Sequence, residues 1–296
     1  MRSSHLLVTL NLLASLAMWS PQASANESDR PKWEAGFGIG YLGFEHYPAS
    51  NQHTDLAFPF PTFQYRGDVL RADDRDGAKI FLIKRPSWIL QLGGLGFPPL
   101  NSANNDTRRG MDDLPLLVAL GPQLQRRLSE SLTFKLGIYQ AIAARLISAQ
   151  TSGAVWEIDM TLREKFTLTG RTFDETTAAL SFNLMGSSQE VGELYFGVPA
   201  SQVAPTRPSF EAKAGLMQSQ VSYFQSFQRG DIAFYLGVRI SDHRVSMNRD
   251  SPLHKSDQNI AGLIGLTYSL YHSKKSGVPY EETSGVIDKL RRPKEE

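Results

Sequence analysis

The chain has 296 residues, no cysteine, and 31 lysines and arginines against 30 aspartates and glutamates. This near-neutral balance argues against nucleic acid as a partner, and the lack of cysteine excludes disulfides, thiol catalysis and cysteine metal sites. Residues 1–25 contain an apolar stretch too short to cross a bilayer and end in Ala23-Ser24-Ala25. This pattern predicts a signal peptide that is cleaved after Ala25, so we expect an exported protein.

Segments in which large apolar residues alternate with small or polar ones follow the export signal. No window approaches the ~20 apolar residues of a membrane helix, whereas period-two alternation is typical of β-strands. In the first segment, large side chains alternate with Gly36, Gly38 and Gly40, which we interpret as thin positions facing a barrel lumen. The apolar positions of the clearest segments are Ala35, Phe37, Ile39 and Tyr41; Trp88, Leu90 and Leu92; Leu132, Phe134, Leu136 and Ile138; and Ile232, Phe234, Leu236, Val238 and Ile240.

Short turn signals such as Arg66-Gly67-Asp68 separate these segments and indicate antiparallel neighbours. About twelve strands fit before Tyr271, which is the strand density of a membrane barrel. The sequence therefore predicts an all-β fold, a transmembrane antiparallel up-and-down β-barrel formed by residues 26–271. A soluble β-sandwich is the alternative. Aromatic residues near predicted strand ends, including Tyr41, Tyr139 and Tyr268, favour a barrel with interfacial girdles.

Charged residues also occur inside the predicted strands, on the face opposite the large apolar side chains. An arginine facing lipid at mid-depth would cost ~2–4 kcal/mol, so we expect these residues to point into the lumen. They could line a pore or block the lumen with ion pairs, and the strand number favours a blocked or narrow lumen. The residues are Lys135, Arg145, Glu157, Asp159, Arg163 and Arg239.

The final predicted strand contains Gly265, Tyr268 and Leu270 in the glycine-plus-hydrophobic pattern that resembles the signal read by the barrel assembly machinery. A polar tail, residues 272–296, follows this strand. It has too little apolar surface to fold alone, so we expect it to be mobile and periplasmic.

Six segments, followed by the closing strand and in this order along the chain, resemble the MltA-interacting protein / outer-membrane protein V family. The resemblance implies an outer-membrane barrel in contact with lipid, acting as a scaffold for a murein lytic transglycosylase and a penicillin-binding protein. A narrow channel and an adhesin remain as alternatives. The segments are Gly36–Tyr41, Pro59–Pro61, Tyr65–Asp68, Arg109–Leu114, Leu194–Val198 and Asp250–Leu253.

Catalytic chemistry has little support in the sequence. His46, His53 and Asp55 share one loop, but ligands in a flexible loop specify no geometry, so we predict neither a metal nor another cofactor. No histidine lies within a predicted strand beside a serine and a third polar group, as a barrel hydrolase would need. An enzyme is the least favoured function.

The connection 97–113 is the most specific candidate for a partner site. Counting four strands from a periplasmic N-terminus places this long connection on the periplasmic side, where peptidoglycan enzymes work. The hypothesis assigns charge-assisted partner contacts to Arg109, Asp112 and Asp113 and apolar anchoring to Met111 and Leu114.

Overall fold

The computed structural model describes residues 30–73, 77–145, 148–166, 173 and 175–290. The predicted signal peptide lies outside these residues. Twelve antiparallel strands follow one another around a closed barrel, with the last strand paired to the first, which confirms the predicted fold class. The strands are β1 Trp33–Glu45, β2 His53–Arg66, β3 Leu70–Asp73, β4 Gly77–Lys84, β5 Trp88–Phe97, β6 Leu116–Arg127, β7 Leu132–Arg145, β8 Ser148–Phe166, β9 Glu175–Ser187, β10 Gly215–Arg229, β11 Ile232–Asp242 and β12 Gln258–His272.

Alternation along each strand separates an apolar outer surface from a polar lumen. In β1, Phe37, Ile39 and Tyr41 are about half exposed on the outside, as the sequence predicts. An apolar band this wide is unfavourable in water and is the surface that a barrel presents to lipid. None of the helices in the described part of the chain is long and apolar enough to cross a membrane. Other exposed members of the band are Leu120, Ile138, Met160, Phe182, Val221, Ile240, Ile260 and Ile264.

The glycines of β1 make room for an aromatic ring inside the barrel. A Cβ atom on Gly38 would lie 2.7 Å from Cζ of Phe60, and one on Gly40 would lie 3.2 Å from Cε1 of the same ring. Phe60 lies on β2, whose even-numbered residues face inward, and its ring packs against Phe58 with the centroids 5.5 Å apart. The interpretation of these glycines as thin lumen-facing positions is confirmed.

The third predicted strand is a short hairpin of two strands, β3 and β4. The sequence carries its turn signal, because Asp76-Gly77 is a preferred hairpin dipeptide and Gly77 adopts φ 73°. The extra strand reverses the direction of the chain. Consequently the 98–115 connection lies at the barrel end opposite to the one predicted.

Strand β2 is only partly paired on its β3 side. Among the described residues, only Tyr65 and Arg66 pair with β3, while residues 53–65 of β2 pair with β1 on the other side. Pro59 and Pro61 lie in the segment without a β3 partner. Proline has no backbone N–H to donate, so it suits a strand edge.

The two ends of the barrel differ in the length of their connections. At the loop end, residues 46–52, 98–115, 188–214 and 243–257 join strands, and the 188–214 connection contains helix α1, Gln189–Phe196. At the terminal end, the turns 67–69, 85–87, 128–131 and 230–231 are short. Residues 273–290 also lie there and end in helix α2, Val286–Leu290, with an isolated bridge between Pro31 and Ser276.

Candidate functional site

The barrel encloses a cavity of about 320 Å³. One wall is largely apolar and comes from β1 and β12, including Leu42, Phe44, Ala261 and Leu263. The facing wall, from β6 to β10, carries amide, hydroxyl and charged side chains. A cavity with one polar and one apolar wall can bind a small molecule that has both kinds of surface.

The polar wall is organised by strand register. Gln91, Gln123, Gly137, Glu157 and Met185 are direct cross-strand neighbours on five successive strands, β5 to β9. Because direct neighbours share one face of a sheet, these residues form one rung around the lumen. The polar side chains at this level, Gln91, Gln123, Tyr139, Glu157 and Asn183, are named here the polar belt.

Hydrogen bonds run through the polar belt toward Glu157. The amide nitrogen of Gln91 donates to Oε1 of Gln123 at 2.8 Å, and Nε2 of Gln123 donates to the Tyr139 hydroxyl at 2.8 Å. Tyr139 donates to Oε1 of Glu157, and Nδ2 of Asn183 donates to Oε2 at 3.2 Å. The buried carboxylate therefore terminates hydrogen-bond chains from both directions.

Charged side chains inside the strands point into the lumen, as predicted. Nζ of Lys135 lies 3.1 Å from Oε1 of Glu157, and across the lumen Nη2 of Arg239 lies 3.2 Å from Oε1 of Glu45. Asp159 and Arg163 also line the cavity, while the side chain of Arg145 lies outside the described part of the structure. Pairing keeps these charges compensated away from bulk water.

The aromatic girdle prediction is wrong for Tyr139. Its ring is fully buried in the lumen and lies over Gly137, where the missing side chain makes room for it. Because Leu136 and Ile138 face outward, period-two alternation itself places Tyr139 on the inner face.

The loop end is closed by a cap made of residues 46–52, 98–115, 188–214 and 243–257. Tyr47, Phe196 and Leu253 form an apolar core beneath it, together with Met111 and Leu114. Met111 is 9% exposed and Leu114 is 4% exposed, so neither side chain is available to anchor a partner. Their predicted role as apolar anchors is wrong, because the cap uses them as its own core.

The charged residues of the predicted partner site have different environments. Asp113 accepts a hydrogen bond from the backbone of Ser102 at 2.7 Å, and Asp112 accepts one from Gln202 at 2.8 Å. Arg109 is exposed and pairs with Asp106. Arg109, Asp112 and Asp113 are all exposed on the cap, but at the end opposite to the chain termini.

Buried polar groups hold the cap together. Arg108 is 3% exposed, stacks over Tyr47 at 5.6 Å and donates to the backbone oxygen of Tyr195 at 3.4 Å. Burial raises the pKa of Tyr47 to about 12. Burial also lowers the pKa of His243 to about 4, and its Nε2 accepts a hydrogen bond from the backbone of Ala49 at 3.2 Å. At neutral pH both side chains are therefore uncharged.

Residues 273–290 are folded onto the terminal end, so the predicted mobility of the tail is wrong for this part. Tyr280 is 1% exposed and packs edge-on against Phe81, with the ring centroids 5.7 Å apart. Nζ of Lys84 lies 4.5 Å from the Tyr280 ring centroid, and the backbone of Lys84 donates to Asp288 at 3.0 Å. An ion pair joins Lys289 to Asp68.

The predicted assembly residues lie on the strand that closes the barrel. Gly265 pairs with Gly40 of β1, while Tyr268 and Leu270 are about half exposed on the outer surface. Recognition of these residues by the assembly machinery stays a prediction.

The loop histidines do not converge on one point. His53 pairs with Asp55 at 3.3 Å, whereas His46 contacts Asn105 at 3.0 Å. The described residues include no group of three or more histidine, aspartate or glutamate side chains placed to hold a metal ion.

The family model described as MltA-interacting protein MipA matches residues 36–270. The chain belongs to this family. In this MipA family member, three of the segments that carry the resemblance meet in the cap: Arg109–Leu114, Leu194–Val198 and Asp250–Leu253. Oγ of Ser251 donates to the backbone oxygen of Phe196 at 2.6 Å and so joins two of them. No curated protein matches the sequence.

Solved barrels resemble the chain only distantly. The NanC porin is 11% identical with a TM-score of 0.36, over 80% of this chain and 100% of its own. A bacterial polysaccharide outer membrane secretin is 8% identical with a TM-score of 0.36, over 80% and 99%. A Pseudomonas aeruginosa FadL homologue is 8% identical with a TM-score of 0.29, over 88% and 97%. Scores this low carry no information about the function of this chain.

Proposed function

We propose that this protein is a non-enzymatic outer-membrane docking protein that holds the murein lytic transglycosylase MltA, together with a penicillin-binding protein, at its periplasmic end. The observation that carries the proposal is membership of a family described as MltA-interacting. The barrel supplies a fixed position in the membrane, and a docking role requires only an exposed surface on the side where murein lies.

The lengths of the connections support the orientation. Membrane barrels of bacteria have short periplasmic turns and longer extracellular loops. Here the three longest connections, 98–115, 188–214 and 243–257, all lie at the loop end, away from the chain termini. The terminal end therefore faces the periplasm, and the cap faces outward.

With the terminal end in the periplasm, the proposed docking surface is residues 273–290. Tyr280 holds the segment against the barrel wall, while Lys274, Lys275, Glu281 and Leu290 are exposed. Leu290 is 80% exposed, which is unusual for a leucine on a folded segment and suits a contact with a partner. A surface of mixed charge around an apolar residue fits a specific protein contact.

Capture of purified MltA by the full-length barrel in detergent tests the proposal. Wild-type barrel should retain MltA, and a barrel lacking residues 273–296 should not. The matched control is R109A/D112A in the cap, which should bind like the wild type because it changes only the opposite end. A change in gel mobility on boiling checks that each variant is a folded barrel.

Capture of MltA by the deletion variant would contradict the docking surface. Failure of the wild type to capture it would contradict the docking function.

The lumen cavity favours a second candidate, a narrow channel. Ion pairs on both walls and a cap over the loop end oppose conduction. Steady single-channel conductance of the wild-type barrel in planar bilayers would favour the channel over the docking protein.

A further inference from the structure

The polar belt leaves two buried amide oxygens without a partner. Oε1 of Gln91 and Oδ1 of Asn183 make no hydrogen bond, although the side chains are 1% and 8% exposed and both residues line the cavity. Gln218 on β10 adds a third such oxygen at 4% exposure. A buried acceptor without a donor costs free energy, so three around one cavity point to something that fills it.

The orientation of these amides follows from the chemistry of their neighbours. A carboxylate only accepts, so Tyr139 and Asn183 must turn their donors toward Glu157. Tyr139 then accepts from the nitrogen of Gln123, which leaves the Gln123 oxygen to accept from Gln91. Both ends of the belt therefore finish in a buried amide oxygen that belongs to a residue of the cavity lining.

The third amide is oriented independently of the belt. Nε2 of Gln218 lies 3.6 Å from Sδ of Met185. A thioether sulfur accepts weakly and cannot donate, so the nitrogen faces the sulfur and the oxygen faces away.

We propose that the lumen cavity binds a neutral, hydroxyl-rich small molecule of the size of a simple sugar. Three acceptor oxygens call for a ligand that donates from several directions, and hydroxyl groups do this without bringing charge. The formal charge of the lining is balanced, because Lys135, Arg163 and Arg239 face an equal number of acidic side chains, Glu45, Glu157 and Asp159. A charged ligand would need to disturb these pairs.

The size and the opposite wall of the cavity agree with this class of ligand. About 320 Å³ lies at the lower end of the ~300–1,000 Å³ found for small-molecule pockets. Phe44 on β1 and Leu263 on β12 provide an apolar surface across the barrel from the polar belt. The C–H face of a sugar ring packs on such a surface while its hydroxyls reach the amide oxygens.

The inference is tested by titrating D-glucose and maltose into the detergent-solubilised full-length barrel. Saturation-transfer NMR measures the binding. At least one of these neutral sugars should bind saturably, and D-glucuronate and D-glucosamine should bind more weakly. In Q91M/Q218M the neutral sugar should bind about tenfold more weakly, because two acceptors are lost. Both substitutions leave Glu157 and its direct donors in place.

The matched control is Q225M, on the same strand as Gln218 but on the outer face beside Tyr223. It should bind the sugar like the wild type. Absence of saturable binding to the wild type would overturn the inference, as water alone would then meet the three oxygens. Equal binding by Q91M/Q218M and Q225M, or preferential binding of glucuronate or glucosamine, would overturn it as well.

Discussion

Glu157 terminates the polar belt, so its replacement by leucine should weaken the barrel more than any other single change in the lumen wall. The side chain is 4% exposed and accepts hydrogen bonds from Tyr139 and Asn183 while pairing with Lys135. In E157L all three partners lose their acceptor at once, and the ammonium group of Lys135 keeps its charge.

The size of the effect follows from burial. Removing one partner of a buried ion pair costs ~3–5 kcal/mol. Lys135 is 28% exposed, and Asp159 on the same face of β8 supplies a second carboxylate nearby, so we expect a smaller loss. The free energy of unfolding should fall by about 2–4 kcal/mol in E157L.

A double-mutant cycle separates the ion pair from the rest of the belt. In K135M/E157L the uncompensated charge is absent, so this variant should regain about 1–2 kcal/mol relative to E157L. Urea unfolding of the barrel in lipid vesicles measures both values through tryptophan fluorescence, with Trp156 adjacent to the substituted position. The reasoning is refuted if E157L unfolds at the urea concentration of the wild type, or if K135M/E157L is no more stable than E157L.

Three further predictions concern the two ends of the barrel. Burial lowers the pKa of His243 to about 4, so an unfolded cap takes up a proton below about pH 6.5 that the folded cap does not. Cap stability should therefore fall as pH falls from 6.5 to 4, seen as lower amide protection factors for residues 46–52, and H243Q should reduce this dependence. A smaller dependence should remain, because burial also lowers the pKa of His46 in the cap. Y280A should make residues 273–290 susceptible to trypsin, because ~3–5 kcal/mol of aromatic packing is lost, and the heat-modifiable gel mobility of the barrel should not change. In L290A, residues 273–290 should stay protected from trypsin. The chain has no cysteine, so single cysteines can report the orientation of the barrel. R109C should react with a membrane-impermeant maleimide on intact cells, and K274C should react only after the outer membrane is opened. The reverse labelling pattern would show that the cap faces the periplasm.

The barrel itself was predictable because each strand has one apolar and one polar face, which the sequence shows as strict alternation. The inward direction of Lys135, Glu157 and Arg239 followed from the same rule. The additional hairpin also has a signal in the sequence, since Asp76-Gly77 is a hairpin dipeptide inside the third predicted strand.

The partner site could not be predicted from local sequence. Met111 and Leu114 are apolar residues in a long polar loop, and a loop of this kind resembles a binding surface until its neighbours are known. Their burial depends on Tyr47 and Leu253, which are distant in sequence. The tail shows the same limit, because a single aromatic residue, Tyr280, finds a site against Phe81 that composition does not reveal.

The polar belt was only partly visible in the sequence. Glu157 and Lys135 stood out as charges in strands, but Gln91, Gln123 and Asn183 did not. The register of β5 to β8 aligns Gln91, Gln123 and Glu157 in one rung, and Asn183 reaches Glu157 from the neighbouring strand β9. This register is fixed by the closed barrel rather than by any single segment.

Site-specific photo-crosslinking in intact cells tests the docking function most directly. A crosslinking residue at position 290, which is exposed on the segment at the terminal end, should capture MltA. The same residue at position 109, which is exposed on the cap, should not. Capture of MltA from position 109 and not from 290, or from neither position while MltA is present, would contradict a docking surface on residues 273–290.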